Sequence, residues 1–181
     1  MTAVSIRPYK LSDAEKLYEA AKESVAELQP FLPWCHPKYR IDEARSWIQL
    51  QVEQFRFGKE YQFVIVSTEG KFLGGCGLNG IDQENRRANL GYWIRSSEIR
   101  RGTATAATRL LVSWAFDSTE LNRLEIVVST VNIASLRVAE KAGAVREGTL
   151  QSRLLLHGVT HDAVVFSFVR KDFESRGSLP D

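Results

Sequence analysis

Apolar and polar positions divide this chain into short strand-like runs and longer helical stripes. Val4–Pro8 reads as a first strand. Leu17, Ala20, Ala21 and Val25 form a helical stripe behind Ser12-Asp13-Ala14-Glu15, a capping box in which Ser12 accepts from first-turn N–H groups and Glu15 reaches back. Pro30, Pro33 and Pro37 then break the pattern in a loop that also carries Phe31 and Trp34. Asp42 caps a second helix with Ala44, Trp47, Ile48, Val52 and Phe55 on its apolar face, where Trp47 and Phe55 read as core. Tyr61–Ser67 and Phe72–Leu78 flank the turn Thr68-Glu69-Gly70 as a hairpin, with Gly74, Gly75, Gly77 and Gly80 loosening the second strand. A strand over Ala88–Arg95 leads to a helix carrying Leu110, Leu111, Trp114 and Ala115 and ending near Phe116. Arg123–Ser129 is a β-branched strand, and Asn132–Lys141 a short helix stopped by Gly143. Gly148–Leu156 and Ala163–Val169 make a last antiparallel pair around His157-Gly158.

The order strand, two helices, three strands, helix, strand, helix, two strands implies an α+β (mixed α/β) domain. A length of 181 residues suits one domain, over residues 1–172, with 173–181 as a frayed tail. Apolar content of 44% and charged content of 25% belong to an ordinary globular chain. A net charge of +2 argues against nucleic acid as a direct partner. No apolar run reaches the roughly 18 residues a membrane span needs. The N-terminus lacks the apolar stretch of a signal peptide. Cys35 and Cys76 have neither disulfide nor metal spacing and read as buried thiols. Together these features imply a cytoplasmic protein without a metal.

One segment concentrates chemistry. Ile99-Arg100-Arg101-Gly102-Thr103-Ala104-Thr105 joins a strand to a helix start, where free backbone N–H groups and the positive dipole end suit a phosphate. Gly102 and Ala104 leave the backbone accessible, and Arg95, Arg100 and Arg101 form the clearest local excess of positive charge. A P-loop is excluded because no Gly-Lys-Ser/Thr follows the turn.

Set beside Asn132–Ala144, Gly91-Tyr92-Trp93-Ile94, Phe31-Leu32-Pro33-Trp34, Asn122-Arg123-Leu124-Glu125 and Gly148–Asp162, this turn resembles the GNAT N-acetyltransferases, in particular the RimJ/RimL branch that acetylates ribosomal-protein N-termini. The resemblance runs from Ile6 to Asp172. It implies a central, mostly antiparallel twisted sheet, splayed at a cofactor cleft and flanked by helices. It implies acetyl-CoA as cosubstrate, its pyrophosphate on the backbone of Arg100, Arg101, Gly102, Thr103, Ala104 and Thr105. The pantetheine arm would pair with the backbone of Trp93, Ile94 and Arg95, and Asn132 and Arg137 would complete the cofactor site. Ile99 departs from the family pattern, which has Gln or Arg there.

Acetyl transfer requires a neutral amine, a polarised thioester carbonyl, a proton for the leaving thiolate, and proximity. The tyrosine that supplies this proton in many relatives is replaced by Ala139, and Ser135 is the substitute that matches the Rim-type pattern. Asn89 and Leu154 stand where relatives carry a carboxylate, which leaves the base to a water relay. By the same resemblance Trp34, with Phe31 and Asn89, belongs to the acceptor wall, and Tyr39 is a weaker candidate for it. Glu125 reads first as an ion-paired strand residue, His161-Asp162 as a pair bonding loop backbone, and His36 as a surface histidine. The implied activity is acetylation of a primary amine by direct attack in a ternary complex. The acceptor is a protein N-terminus, ribosomal by resemblance, or a small amine such as a polyamine, amino acid or antibiotic. The absent tyrosine and carboxylate also admit a non-catalytic acyl-CoA-binding module. Rim-type relatives suggest a homodimer.

Overall fold

Across the described residues, 4–176, the computed structural model runs in the order β1 (Val4–Pro8), α1 (Ala14–Glu23), α2 (Val25–Leu28), α3 (Ile41–Arg56), β2 (Tyr61–Ser67), β3 (Phe72–Asp82) and β4 (Arg87–Ile94). It continues with α4 (Thr103–Ser118), β5 (Arg123–Ser129), α5 (Ile133–Ala142), β6 (Val145–Leu156), β7 (Val159–Val169) and α6 (Arg170–Arg176). The expected order of elements is all present.

The helix starts differ in their caps. A 3-10 turn, Leu11–Asp13, precedes α1, and the Asp13 carboxylate accepts from the Lys10 N–H at 2.9 Å while also holding Arg7 of β1. The cap expected of Ser12 is therefore made by Asp13, and Glu15 instead pairs with Arg45 of α3 at 3.0 Å. On α3 the reach-back comes from Glu43 to the Arg40 N–H, 2.8 Å, rather than from Asp42, which lies inside the first turn. The last hairpin is tighter than its sequence suggested. His157 and Gly158 both have positive φ, 50° and 78°, as a two-residue turn matching strand twist requires, so β7 starts at Val159 and not at Ala163. Helical order also passes the boundary expected at 172. Phe173 of α6 packs on Phe116, and the Arg170 guanidinium closes the end of α4 on the carbonyls of Phe116 and Leu121. Residues 177–181 lie outside the described residues.

The seven strands form one sheet, β1-β2-β3-β4-β5-β7-β6, antiparallel except for β4 and β5. One face is covered by α4, whose Leu111, Val112, Ala115 and Phe116 pack with Leu78, Leu90, Leu124 and Phe166. The other face is covered by α1 and α3, where Leu17, Ala20, Ala44 and Ile48 meet Val64 and Val66. Phe55 joins Phe63 and Trp114 in an aromatic cluster on the α4 side, as its helical spacing suggested, whereas Trp47 packs edge-on to Tyr9 on the opposite face.

The feature that positions the site is a split in the sheet. β4 and β5 pair over three positions only, Arg87↔Arg123, Ala88↔Leu124 and Asn89↔Glu125. Beyond Asn89, β4 stays with β3 while β5 stays with β7 as far as Ser129↔Ala163. The strands diverge and leave a V-shaped gap between the end of β4 and the start of α5.

Candidate active site

The β4 wall of the gap presents free backbone groups. Arg95 donates its N–H to Leu73 of β3 at 2.9 Å. Antiparallel alternation then points the amides of Arg95 and Trp93 at β3 and those of Tyr92 and Ile94 into the gap. Of the three backbone positions expected there, only Ile94 faces the gap, and Tyr92 joins it.

Below this wall the chain turns into α4. Arg100 and Gly102 both take positive φ, 63° and 80°, and α4 starts at Thr103 with first-turn N–H groups that have no helical acceptor. A Cβ built on Gly102 meets no atom within 4 Å, so the space above these amides is open. The Thr103 hydroxyl is buried here without a hydrogen-bond partner among the described residues. The charge at the turn differs from the simple arginine excess. Arg101 pairs with buried Glu98 at 3.1 Å, and Lys71, carried in by the β2–β3 turn, pairs with the same carboxylate. The Lys71 ammonium, with Arg101, holds Glu98 below the usual carboxylate range.

Arg95 does not point at the turn at all. Its guanidinium is taken by Glu23 of α1, with Nε 3.0 Å from Oε1, and by the Phe72 carbonyl at 3.2 Å. Arg95 and hydrogen bonds from Ser97 depress Glu23 from 4.5 to about 2. Because the folded value is the lower one, this pair stabilises the fold above about pH 4.5, and the contribution is lost as pH falls toward 2. Glu23→Gln is expected to lower the melting temperature at pH 7 and to flatten its fall between pH 4.5 and pH 2, as thermal melts across that range will show.

The α5 wall forms the other side of the gap. Asn132 caps α5, its Oδ1 accepting from the Ser135 N–H at 3.1 Å. This cap turns Ser135 toward the gap, where Tyr92 meets it. The Tyr92 hydroxyl lies 3.0 Å from Ser135 Oγ and 3.0 Å from the Ser135 carbonyl, to which it donates. Burial pushes the Tyr92 phenol up to about 12. The sequence pattern pointed to position 139 for a tyrosine, and Ala139 is fully buried against the core. The phenol comes instead from β4. Its signal was present in Gly91-Tyr92-Trp93, but only the divergence of β4 from β5 brings it to α5. Arg137 is exposed on the same helix.

A cleft of about 440 Å³ opens on the α1–α3 face of the sheet. Its floor is made by the cross-strand pairs Gly75↔Trp93 and Gly77↔Gly91 with Asn79, so the glycines expected to loosen β3 make room over the sheet. Trp34, Tyr39, Trp47 and Trp93 form its aromatic walls, with Trp34 and Trp93 rings 5.6 Å apart. Leu32 lines it where Phe31 was expected, while Phe31 stays in the loop outside. Asn89, the register partner of Asn79, donates to it at 3.0 Å and does not itself line the cleft. Glu43, Glu60, Gln62 and His36 supply polar groups. Glu43 is committed to the Arg40 N–H and to His36 at 3.4 Å, whereas among the described residues Glu60 is bonded only by Gln62, which donates at 3.5 Å. Tyr9 closes the base with its hydroxyl buried and unpartnered, a state that costs about 1–3 kcal/mol when nothing satisfies it. Tyr92 lines this cleft as well as touching Ser135, so the cleft and the gap meet at one residue.

The remaining candidates are structural. Glu125 is held by Arg123 at 2.7 Å and Arg87 at 3.7 Å. Asp162 accepts from the Ser152 N–H at 2.8 Å across a bulge, and His161 lies 3.3 Å from Ser129 Oγ. His36 lines the cleft rather than standing on a bare surface. Burial raises the Cys35 thiol to about 11, and Cys76 is raised further. No helix among the described residues is long and apolar enough to cross a membrane. Among them no group of three or more His, Cys, Asp or Glu is placed to hold a metal.

A sheet that splays beside a helix N-terminus, with a strand edge left open at the split, is the architecture of an acyltransferase that holds its thioester donor between two strands. A family model described as "Acetyltransferase (GNAT) domain" matches residues 4–145, and the chain belongs to this family. The chain is 37% identical over 178 residues to the "Putative ribosomal N-acetyltransferase YdaF" of Bacillus subtilis, covering 94% of this chain and 93% of that protein. Its fold matches the RimL ribosomal L7/L12 α-N-protein acetyltransferase solved with coenzyme A at a TM-score of 0.85, with 23% identity and coverage of 93% and 95%. It also matches the microcin C7 self-immunity acetyltransferase MccE, solved with acetyl-CoA and AMP, at a TM-score of 0.83, with 25% identity and 92% of each chain covered. The protein is an acetyl-CoA-dependent N-acetyltransferase of RimJ/RimL type.

Proposed function

We propose that this protein acetylates the α-amine of a protein N-terminus, a ribosomal protein foremost, and that the acceptor enters through the aromatic cleft. The observation that carries this reading is Tyr92, which lines the cleft and bonds Ser135 across the gap. A donor along β4 and an acceptor in the cleft would meet at that residue. Likeness to YdaF supports the ribosomal acceptor.

The residues present fit acetyl-CoA, which supplies the acetyl group as a thioester. The open amides of Thr103, Ala104 and Thr105, the unpartnered Thr103 hydroxyl, and Arg100 and Arg101 suit its pyrophosphate. Tyr92 and Ile94 offer backbone groups to the pantetheine amides, with Asn132 and exposed Arg137 on the facing side. Ser135 Oγ–H donates to the departing sulfur, and Tyr92, turning its O–H from the Ser135 carbonyl to Ser135 Oγ, replaces that proton, so a weak acid acts as part of a chain. The amine proton leaves through water toward Glu60, the lining carboxylate that no cation engages among the described residues. Proximity supplies the rest, and is worth roughly 7–11 kcal/mol at best. The reaction belongs in the cytoplasm, where Cys35 and Cys76 stay reduced.

An acceptor screen with acetyl-CoA tests the reading, using peptides that begin with Ala, Ser and Met beside spermidine and free amino acids. Turnover of peptides is expected; turnover of spermidine or amino acids alone would replace the protein acceptor by a small-molecule amine. Trp34→Ala is expected to raise the acceptor KM about tenfold, equivalent to ~1.4 kcal/mol of lost contact, with acetyl-CoA affinity unchanged.

A further inference from the structure

Beside the start of α4, one buried carboxylate holds two cations. The Glu98 side chain is only 7% exposed, and its two oxygens are divided between Lys71 Nζ and Arg101 Nη1, the latter at 3.1 Å. Lys71 comes from the β2–β3 turn, 27 residues before Glu98, and Arg101 from the turn into α4. Two positive charges therefore stand side by side against one negative charge. Ile99, between Glu98 and Arg101 in the chain, is 41% exposed and brings no charge.

Both cationic heads remain available to an anion. Lys71 is 51% exposed and Arg101 56%, and each makes this one ion pair among the described residues. An ammonium carries three donors and a guanidinium five, so Glu98 leaves most of them free. Arg95 is the contrasting case. Its side chain is 17% exposed, and its guanidinium is spent on both oxygens of Glu23 and on the Phe72 carbonyl.

The frame around the cluster is fixed. Ser67 holds the Lys71 backbone from both sides, donating its N–H to the Lys71 carbonyl at 3.0 Å and accepting the Lys71 N–H on Oγ at 3.2 Å. Glu98 ends the 3-10 turn Ser96–Glu98, which is bolted to the end of α1. There the Ser96 N–H donates to Ser24 Oγ at 2.9 Å and the Ser97 N–H to Glu23 at 3.1 Å. Long cationic side chains lose rotamer freedom on binding an anion, and like charges set close together repel. A carboxylate placed between them lowers both costs before the anion arrives.

We propose that Glu98 is a positioning residue, which sets Lys71 and Arg101 as a fixed cation pair on a phosphate of coenzyme A. Lys71 is then a cofactor contact that reaches the turn from another hairpin. The inference rests on the reading of this turn as the pyrophosphate site. By its charge alone Glu98 would repel the phosphate, so its contribution is geometric.

Calorimetry with coenzyme A and with 3′-dephospho-coenzyme A, each at low and high salt, tests the pair. Lys71→Gln is expected to weaken coenzyme A binding about tenfold and to flatten the salt dependence of the dissociation constant. Glu98→Gln is expected to weaken it about fivefold, although the substitution removes a negative charge from beside an anion. A carboxylate acting through charge alone gives the opposite sign. A loss confined to coenzyme A places the pair on the 3′-phosphate, and equal losses with both ligands place it on the pyrophosphate; either pattern sustains the pair. Unchanged affinity in Lys71→Gln, or unchanged or tighter binding in Glu98→Gln, overturns it. So does a lower melting temperature in Lys71→Gln with the salt dependence of the wild type, which would make the cluster a structural clamp. Gly102→Asn separates this inference from the one beneath it. If that variant weakens coenzyme A and the Lys71 and Glu98 variants do not, the turn stands and only the pair fails. If none of the three does, the pyrophosphate is not at this turn and both readings fall.

Discussion

Gly102→Asn is expected to weaken coenzyme A binding at least tenfold while leaving the fold intact. Gly102 holds φ at 80°, a conformation that costs most L-residues roughly 1–2 kcal/mol but that asparagine tolerates. Its missing Cβ opens onto empty space, so an added side chain meets no protein atom and displaces only what sits above the α4 amides. Thr103 lies beside it with an unpartnered buried hydroxyl. Gly102→Val is expected to lose at least as much affinity and also some stability, because a β-branched residue combines the obstruction with left-handed strain. Isothermal calorimetry with coenzyme A, paired with thermal melts, separates the two costs. An unchanged dissociation constant for Gly102→Asn would remove the pyrophosphate from this turn.

Ser135→Ala is expected to lower kcat about 100-fold with little change in acetyl-CoA affinity, within the range a positioned proton donor contributes. Tyr92→Phe removes the phenol that backs Ser135 at 3.0 Å and is expected to cost roughly tenfold in kcat. The double variant is expected to be no slower than Ser135→Ala, because residues acting as one chain lose their function once. Thiol release under saturating acetyl-CoA and acceptor gives all three rates. Weaker acetyl-CoA binding by Ser135→Ala with unchanged kcat would make Ser135 a binding residue and free Tyr92 from the chemistry. The helix itself survives this substitution, since the cap on α5 is the Asn132 side chain bonding a backbone N–H.

The contrast between Ser135 and Tyr92 shows where the site was legible. Ser135 follows three residues after a helix-capping asparagine, a local pattern that the helix geometry alone enforces. Tyr92 sits inside a strand with alternating burial, where nothing local says which side chain crosses to another element. Its partner is 43 residues away, and the contact exists because β4 leaves β5 after three paired positions. The same holds for Arg95. Its sequence neighbours suggested a phosphate, yet Glu23, on a helix 72 residues earlier, is the anion that reached it. Lys71 entered the turn by the opposite route, from a hairpin with no sequence link to Arg101.

The sequence by itself determined the order of strands and helices, the glycine that opens the backbone before α4, and the asparagine that opens α5. Each depends on residues within a turn or two, where backbone sterics, capping and hydrophobic period act directly. It also carried the likeness that made an acetyltransferase the expected class. Only the tertiary structure decided which charges stayed free and that Tyr92 of β4 meets Ser135 of α5 across the gap. These depend on strand register and on where two strands part. Such choices are settled by packing of the whole sheet against its helices and not by any run of neighbouring residues.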